Sequence, residues 1–226
     1  MPKAIKKKTV KQAKKEENLT TVLSTAKRFR SWEMHYRIAA IAAPLVILLM
    51  AGFYFYGKTA SSEADKFQYE GYKLFYGLYQ ATPVPGAARY ERAAENFMKA
   101  YREKGSPVSL YFMAASYYEL GRYEEAAAAL TELNAKFPDD ERFVPLTYYK
   151  MAMINLRQGG MEEALRHLET LYNYKTASYK DLSLMESASI LKGMGRNEEA
   201  KRKYEALLKD FPNSPFAKEA EEKLKG

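Results

Sequence analysis

The stretch Pro107–Pro138, PVSLYFMAASYYELGRYEEAAAALTELNAKFP, holds two helices and the turn between them. Leu120-Gly121 ends the first, because glycine takes the left-handed conformation that closes a helix. Pro138 punctuates the end of the second, since a proline cannot continue a helix. Within the second helix Ala126, Leu130 and Leu133 follow one another at intervals of four and three, which places them as one stripe on one face. The alanine at the head of that stripe marks where a neighbouring helix comes close.

Working outward, the pattern returns along the chain. Tyr90-Glu-Arg-Ala93, Tyr123-Glu-Glu-Ala126, Met161-Glu-Glu-Ala164 and Asn197-Glu-Glu-Ala200 recur with their alanines 33, 38 and 36 residues apart. Four residues after each alanine stands a bulky side chain (Phe97, Leu130, Leu168, Tyr204), and three further on a small or apolar one (Ala100, Leu133, Leu171, Leu207). Leu120-Gly121, Gln158-Gly159-Gly160 and Met194-Gly195 precede three of these helices, so each unit is helix, turn, helix. Pro138 and Pro212 mark the joins between units.

These units resemble the tetratricopeptide repeat (TPR) family. Pro107–Pro138 matches it best, with Met113-Ala114 as the large-then-small pair, Tyr117 at the aromatic position, and Gly121, Tyr123, Ala126, Leu130 and Pro138 after it. The units beginning near Pro145 and Asp181 depart from it, with Asn155 and Leu191 in place of the aromatic and Thr176 where a closing proline would stand. The first unit departs most: Thr82-Pro83-Val84-Pro85-Gly86 interrupts its turn, and its first helix falls at about residues 62–81. Ser214–Leu224 resembles the extra helix that covers the last open face of such a solenoid.

The resemblance implies a groove lined by the first helix of each unit. Carried over residue by residue, it is formed by Val108, Tyr111, Ala115, Tyr118 and Glu119, then Leu146, Tyr149, Met153, Leu156 and Arg157, then Leu182, Met185, Ser189 and Lys192. Tyr111, Tyr118, Tyr149, Met153, Arg157 and Met185 are the candidate partner-binding residues. Tyrosine and methionine suit adaptable recognition of apolar peptide. Periodicity leaves open whether the groove is free or filled by the chain itself, for example by the aromatic helix carrying Tyr69, Tyr72, Phe75, Tyr76 and Tyr79.

Upstream of the repeats the chain changes character. Ile38–Gly57, IAAIAAPLVILLMAGFYFYG, is twenty residues without a charge, bracketed by Arg37 and Lys58. At about 1.5 Å per residue it spans a hydrocarbon core of roughly 30 Å. Trp32 and Tyr36 before it, and Phe53 to Tyr56 at its end, put amphipathic rings near both interfaces. Pro44 is compatible with a span, where local groups satisfy the freed carbonyl. The basic region ahead and the length of the apolar run are both too great for a cleaved signal peptide, although Thr59-Ala60-Ser61-Ser62 offers small residues for processing. Leu19, Val22, Leu23, Ala26 and Phe29 or Arg30 sit at near-helical spacing, as a short amphipathic helix on the inner leaflet or against a partner, or as a linker before the span.

The formal charge of +8 lies in residues 1–37, which hold eleven Lys/Arg and three acids, while residues 38–226 carry 25 of each sign. A basic tail ending at a span is an orientation signal rather than a nucleic-acid patch, and it predicts the N-terminus inside. The expected fold is all-α: one N-terminal transmembrane helix followed by an α-solenoid of TPR-like helix pairs with a C-terminal capping helix. Its parts are a cytoplasmic tail (1–37), a span (38–57) and a periplasmic repeat domain (58–226).

The absence of cysteine excludes disulfides, thiolate catalysis and Cys-ligated metal. The Glu pairs at 124–125, 162–163 and 198–199 recur in register, and adjacent residues on a helix do not face each other, so they build no shared carboxylate site. Of the two histidines, His35 lies beside the span and His167 has only Glu163 and Glu169 as ordinary helix-surface neighbours, short of the three or four converging ligands a metal site requires. Gly193-Met194-Gly195 lacks the strand that a phosphate loop requires. No catalytic residue, metal or cofactor is expected.

A basic tail, single anchor and outward-facing repeats together resemble the YfgM-like ancillary subunits of the SecYEG translocon in bacterial inner membranes. That resemblance implies translocon subunits, periplasmic chaperones or unfolded chains as protein partners. Two alternatives stay open. Phe211–Ala220 resembles repeats of envelope proteins that coordinate outer-membrane assembly or division, and the small residues Ala39, Ala40, Ala42, Ala43 and Gly52 suit a subunit packed through its span.

Overall fold

The computed structural model describes residues 48–54, 57–59, 62–78 and 85–225. The chain divides into two compact units, Met1–Thr59 and Ala60–Gly226. In the first, the described residues are helical, and Leu48, Leu49, Met50, Phe53 and Tyr54 are 65% to 81% exposed. The basic tail and residues 38–47 and 55–56 of the uncharged stretch, Ile38 and Pro44 among them, lie outside the described residues; Gly57 is described and exposed. Among the described residues no helix is long and apolar enough to cross a membrane.

In the second unit every described element is helical. Helix α1 covers residues 62–76. It is followed by α2 (Gly86–Glu103), α3 (Pro107–Glu119), α4 (Tyr123–Lys136), α5 (Val144–Arg157), α6 (Met161–Tyr172), α7 (Lys180–Gly193), α8 (Asn197–Asp210) and α9 (Ala217–Lys225). From α2 onward each helix packs on the next, and α3 also touches α5 across the intervening α4. First helices therefore share one face of the solenoid, as consecutive stacked repeats require.

The alanine stripe builds the core. Ala93, Ala126, Ala164 and Ala200, the bulky residues Phe97, Leu130, Leu168 and Tyr204, and Ala100, Leu133, Leu171 and Leu207 are all no more than 2% exposed. Burying a side chain of leucine size stabilises by about 1.5–3 kcal/mol, and one stripe per unit repeats that gain along the stack. Two buried hydroxyls find backbone acceptors: Ser183 of α7 donates to the Leu168 carbonyl of α6 at 2.6 Å, and Ser116 to the Phe112 carbonyl of its own helix at 2.8 Å. Their polar atoms are thus satisfied inside the core.

Helix ends follow local chemistry. The Ser106 hydroxyl accepts from the Ser109 N–H at 3.2 Å and Pro107 fills the first turn of α3. Gly121, Gly159 and Gly195 close α3, α5 and α7 at φ +73°, +82° and +76°. Gly77, at φ +67°, closes α1 in the same way, so the first unit also ends its first helix on glycine although its following segment differs. The Glu pairs occupy the first turns of α4, α6 and α8, where carboxylates favour the positive end of the helix dipole. Glu125 pairs with Arg122 at 2.6 Å, Glu199 with Arg196 at 2.6 Å and Glu163 with Arg166 at 2.7 Å. Helix α9 buries Ala220 against a cluster containing Tyr204 and Leu207, covering α8.

Candidate functional site

The face shared by α1, α3, α5 and α7 collects aromatic side chains. Phe112 is bordered edge-on by Tyr111 (ring centroids 5.4 Å) and by Tyr76 (6.2 Å), and Phe143 tilts against Tyr111 at 5.5 Å. Burial pushes the Tyr111 phenol up to about 12, with the nearby phenols of Tyr179, Tyr76 and Tyr149 adding to the effect. Tyr149 donates to Glu186 Oε1 at 3.3 Å. Its phenol is also pushed up to about 12, by burial first and by the Glu186 carboxylate second. Both hydroxyls are thus neutral donors at any physiological pH.

A second cluster lies toward the C-terminal ends of α3 and α5. Arg157 Nε donates to the Tyr118 hydroxyl at 3.1 Å, and Lys150 Nζ sits 4.6 Å from the centre of the Tyr118 ring. Burial holds the Lys150 ammonium below its ordinary value, against the opposing influence of Glu119. The two cations of α5 are therefore engaged with one tyrosine of α3, a contact between consecutive units.

Of the candidate residues, Tyr111, Tyr118, Tyr149 and Arg157 meet on this face. Met153 is partly buried against the cluster of Ala152, Ala164, Leu168 and Leu171. Met185 differs from the expectation: it is only 8% exposed and belongs to the core formed by α7, α8 and α9. On α7 the lining runs instead through Leu182, Glu186 and Ser189, at intervals of four and three, none of which is buried.

Residues left out of the groove assignment include Glu186, Lys150 and Tyr179, whereas Tyr76, on the aromatic helix considered as a filler of the groove, borders Phe112 on this face. A signal for two of them was present. Phe112, Lys150 and Glu186 are 38 and 36 residues apart, the spacings of the repeat alanines, so one position presents a ring, an ammonium and a carboxylate in consecutive units. Tyr179 had no such signal, since it stands in the loop before α7 in place of a regular join. It is the one non-glycine residue with positive φ (+65°) among those described, and it is 39% exposed.

Elsewhere the acidic residues serve the stacking of units. Gln158 donates to Glu124 at 3.0 Å and Arg196 to Glu162 at 2.9 Å, each across 34 residues of sequence. Burial, with Arg166 nearby, holds the His167 imidazole below its ordinary value. Among the described residues no group of three or more His, Cys, Asp or Glu is placed to hold a metal ion.

Comparison with known proteins agrees with this geometry. The crystal structure of MamA superposes with a TM-score of 0.52 at 16% identity, covering 68% of this chain and 83% of that one. A MamA RS-1 double mutant gives 0.51 at 17% identity, covering 67% and 77%. At such identity the likeness establishes the fold alone. No curated protein matches the chain. The model of the tetratricopeptide repeat-like domain matches residues 27–224, nearly the whole chain. The fold is that of a protein-interaction scaffold, and the chain belongs to the tetratricopeptide repeat-like domain family.

Proposed function

We propose that the protein is a membrane-anchored, non-catalytic adaptor whose repeats bind protein partners on the periplasmic side of a bacterial inner membrane. The observation that carries this reading is that the family match begins at residue 27, upstream of the uncharged stretch 38–57, and continues through the repeats. Apolar segment and solenoid thus belong to one family unit. The exposure of Leu48, Leu49, Met50, Phe53 and Tyr54 supports lipid as the surroundings of that segment, because a run of large uncovered apolar side chains is costly in water. With the whole formal charge in the tail, the positive-inside rule orients the N-terminus to the cytoplasm and the repeats outward.

Partners bind on the face of the first helices. Tyr111, Tyr118 and Tyr149 supply rigid amphipathic area there, and Arg157 an exposed guanidinium. The organisation resembles YfgM-like translocon subunits, so the partners are translocon subunits together with periplasmic chaperones or unfolded chains.

Photoreactive residues placed at Tyr149 and, separately, at Val46 test this in native membranes, with crosslinked partners identified by mass spectrometry. Translocon subunits at position 46, with chaperones or nascent chains at 149, are the expected result. Envelope-assembly or division proteins at 149 with no translocon at either position would replace this partner assignment. If Ala39 and Ala43 replaced by bulky residues abolish complex recovery while Tyr111→Ala and Tyr149→Ala do not, the span and not the groove is the interface.

A further inference from the structure

Resting on that reading of the first-helix face, we propose that it selects an extended partner segment by a Lys or Arg side chain, seated among Tyr76, Tyr111, Tyr149 and Tyr179 against the Glu186 carboxylate. Three observations converge. First, tyrosines from three other places in the chain converge on Tyr111: Tyr76 of α1 flanks Phe112 with it, and Tyr149 of α5 and Tyr179 before α7 lie near enough to act electrostatically on its phenol. Tyr76 and Tyr179 remain 56% and 39% exposed, so ring surface is available to a ligand. The faces of such rings attract a cation, and more strongly as water is excluded.

Second, the charge nearby is complementary. Glu186 accepts one long bond, 3.3 Å from the Tyr149 hydroxyl, which leaves acceptor capacity on a carboxylate able to take about four. On the adjoining helix Lys150 and Arg157 are directed at the Tyr118 ring and hydroxyl, and neither is bonded to Glu186. Lys192 lies nearly two turns further along α7. An incoming ammonium or guanidinium would gain a charge-assisted bond to Glu186 beside its contact with the rings.

Third, Tyr179 is held at φ +65° and ψ +12°, a left-handed conformation that a bulky side chain rarely adopts. Strained backbone of this kind concentrates at ligand clamps. Glycine would serve the backbone here without strain, so the ring has to be accounted for by what it does.

The test uses the purified full chain and two fluorescein-labelled peptides in which Leu and Ser alternate about a central residue, either Lys or norleucine, read by fluorescence anisotropy. The Lys peptide is expected to bind about tenfold more tightly, with the preference shrinking as salt rises. Glu186→Gln, which keeps the shape and an acceptor for Tyr149, should remove most of the preference. Tyr179→Gly should weaken Lys-peptide binding while leaving thermal stability unchanged or raised, an outcome that loss of folding cannot imitate. Equal binding of both peptides by the native chain would overturn the cation selection and leave the face as an apolar groove. Binding of neither peptide, with Tyr149 crosslinks to partners also absent, would overturn the groove itself.

Discussion

Gly71 lies buried in α1, and a methyl group built on it would stand 2.9 Å from Phe97 Cε1 and Cζ and 3.1 Å from Cδ1. The Phe97 ring is fully buried and has little room to retreat, with Tyr72 edge-on at 5.3 Å and Phe112 stacked at 5.4 Å. For Gly71→Ala two effects oppose. Alanine gains about 1 kcal/mol of helix propensity, while overpacking a core costs about 1–3 kcal/mol. With the ring boxed in, packing wins, and the expected result is a net loss of about 1 kcal/mol. For a domain of this size that lowers Tm by about 2–4 °C. Urea titration followed by near-UV circular dichroism reads it directly, because the aromatic cluster around Phe97 supplies the signal. Phe97→Leu alone should also destabilise, and the double variant should be no worse than Phe97→Leu, since the methyl then occupies vacated space. A coupling of at least about 0.5 kcal/mol is expected between the two changes. If Gly71→Ala alone raised stability by about 1 kcal/mol, or if the two losses simply added, the close approach of α1 to α2 would be wrong.

Other expectations follow from the turns and the phenols. Gly159 has φ +82° and open space around its missing Cβ, so Gly159→Ala should cost about 1–2 kcal/mol from backbone strain alone, and Gly159→Asn less, by thermal denaturation. Tyr111 and Tyr149 ordinarily titrate near 10 and are pushed up to about 12, so between those values the unfolded chain releases protons that the folded one keeps. Their contribution is intact below about pH 10 and falls as pH rises toward 12; Tyr111→Phe and Tyr149→Phe should flatten that fall in denaturation midpoints measured across the range.

The repeats were readable from sequence because they rest on local rules applied several times over. An alanine, then a large residue four on, then a smaller one three on, fixes the buried stripe of α2, α4, α6 and α8 whatever surrounds it, and the residues so marked are those least exposed. Gly121, Gly159 and Gly195 announce turns for a reason internal to their own backbone. Even the Glu pairs, which invite a catalytic reading, are explained by the helix dipole and by arginines three residues away. The uncharged length of 38–57 and the confinement of net charge to the tail are likewise properties of the chain as written.

The binding face is a different kind of object. Leu182, Met185, Glu186 and Ser189 are all compatible with one amphipathic helix, and only the packing of α8 against α7 turns Met185 inward and leaves Glu186 to meet Tyr149. Lys150 and Arg157 look like free cations until α3 places Tyr118 beneath them. Tyr179 belongs to no periodic pattern, and its position follows from the loop that carries α6 into α7. Sequence by itself determined which residues form helices, where they turn and which stripe is buried, since those depend on neighbours three or four residues away. Which side chains share the first-helix face, and which charges there are already engaged, was decided by tertiary structure, because partners such as Tyr118 with Lys150 and Arg157, or Tyr149 with Glu186, are 32 to 39 residues apart and meet only when the repeats stack.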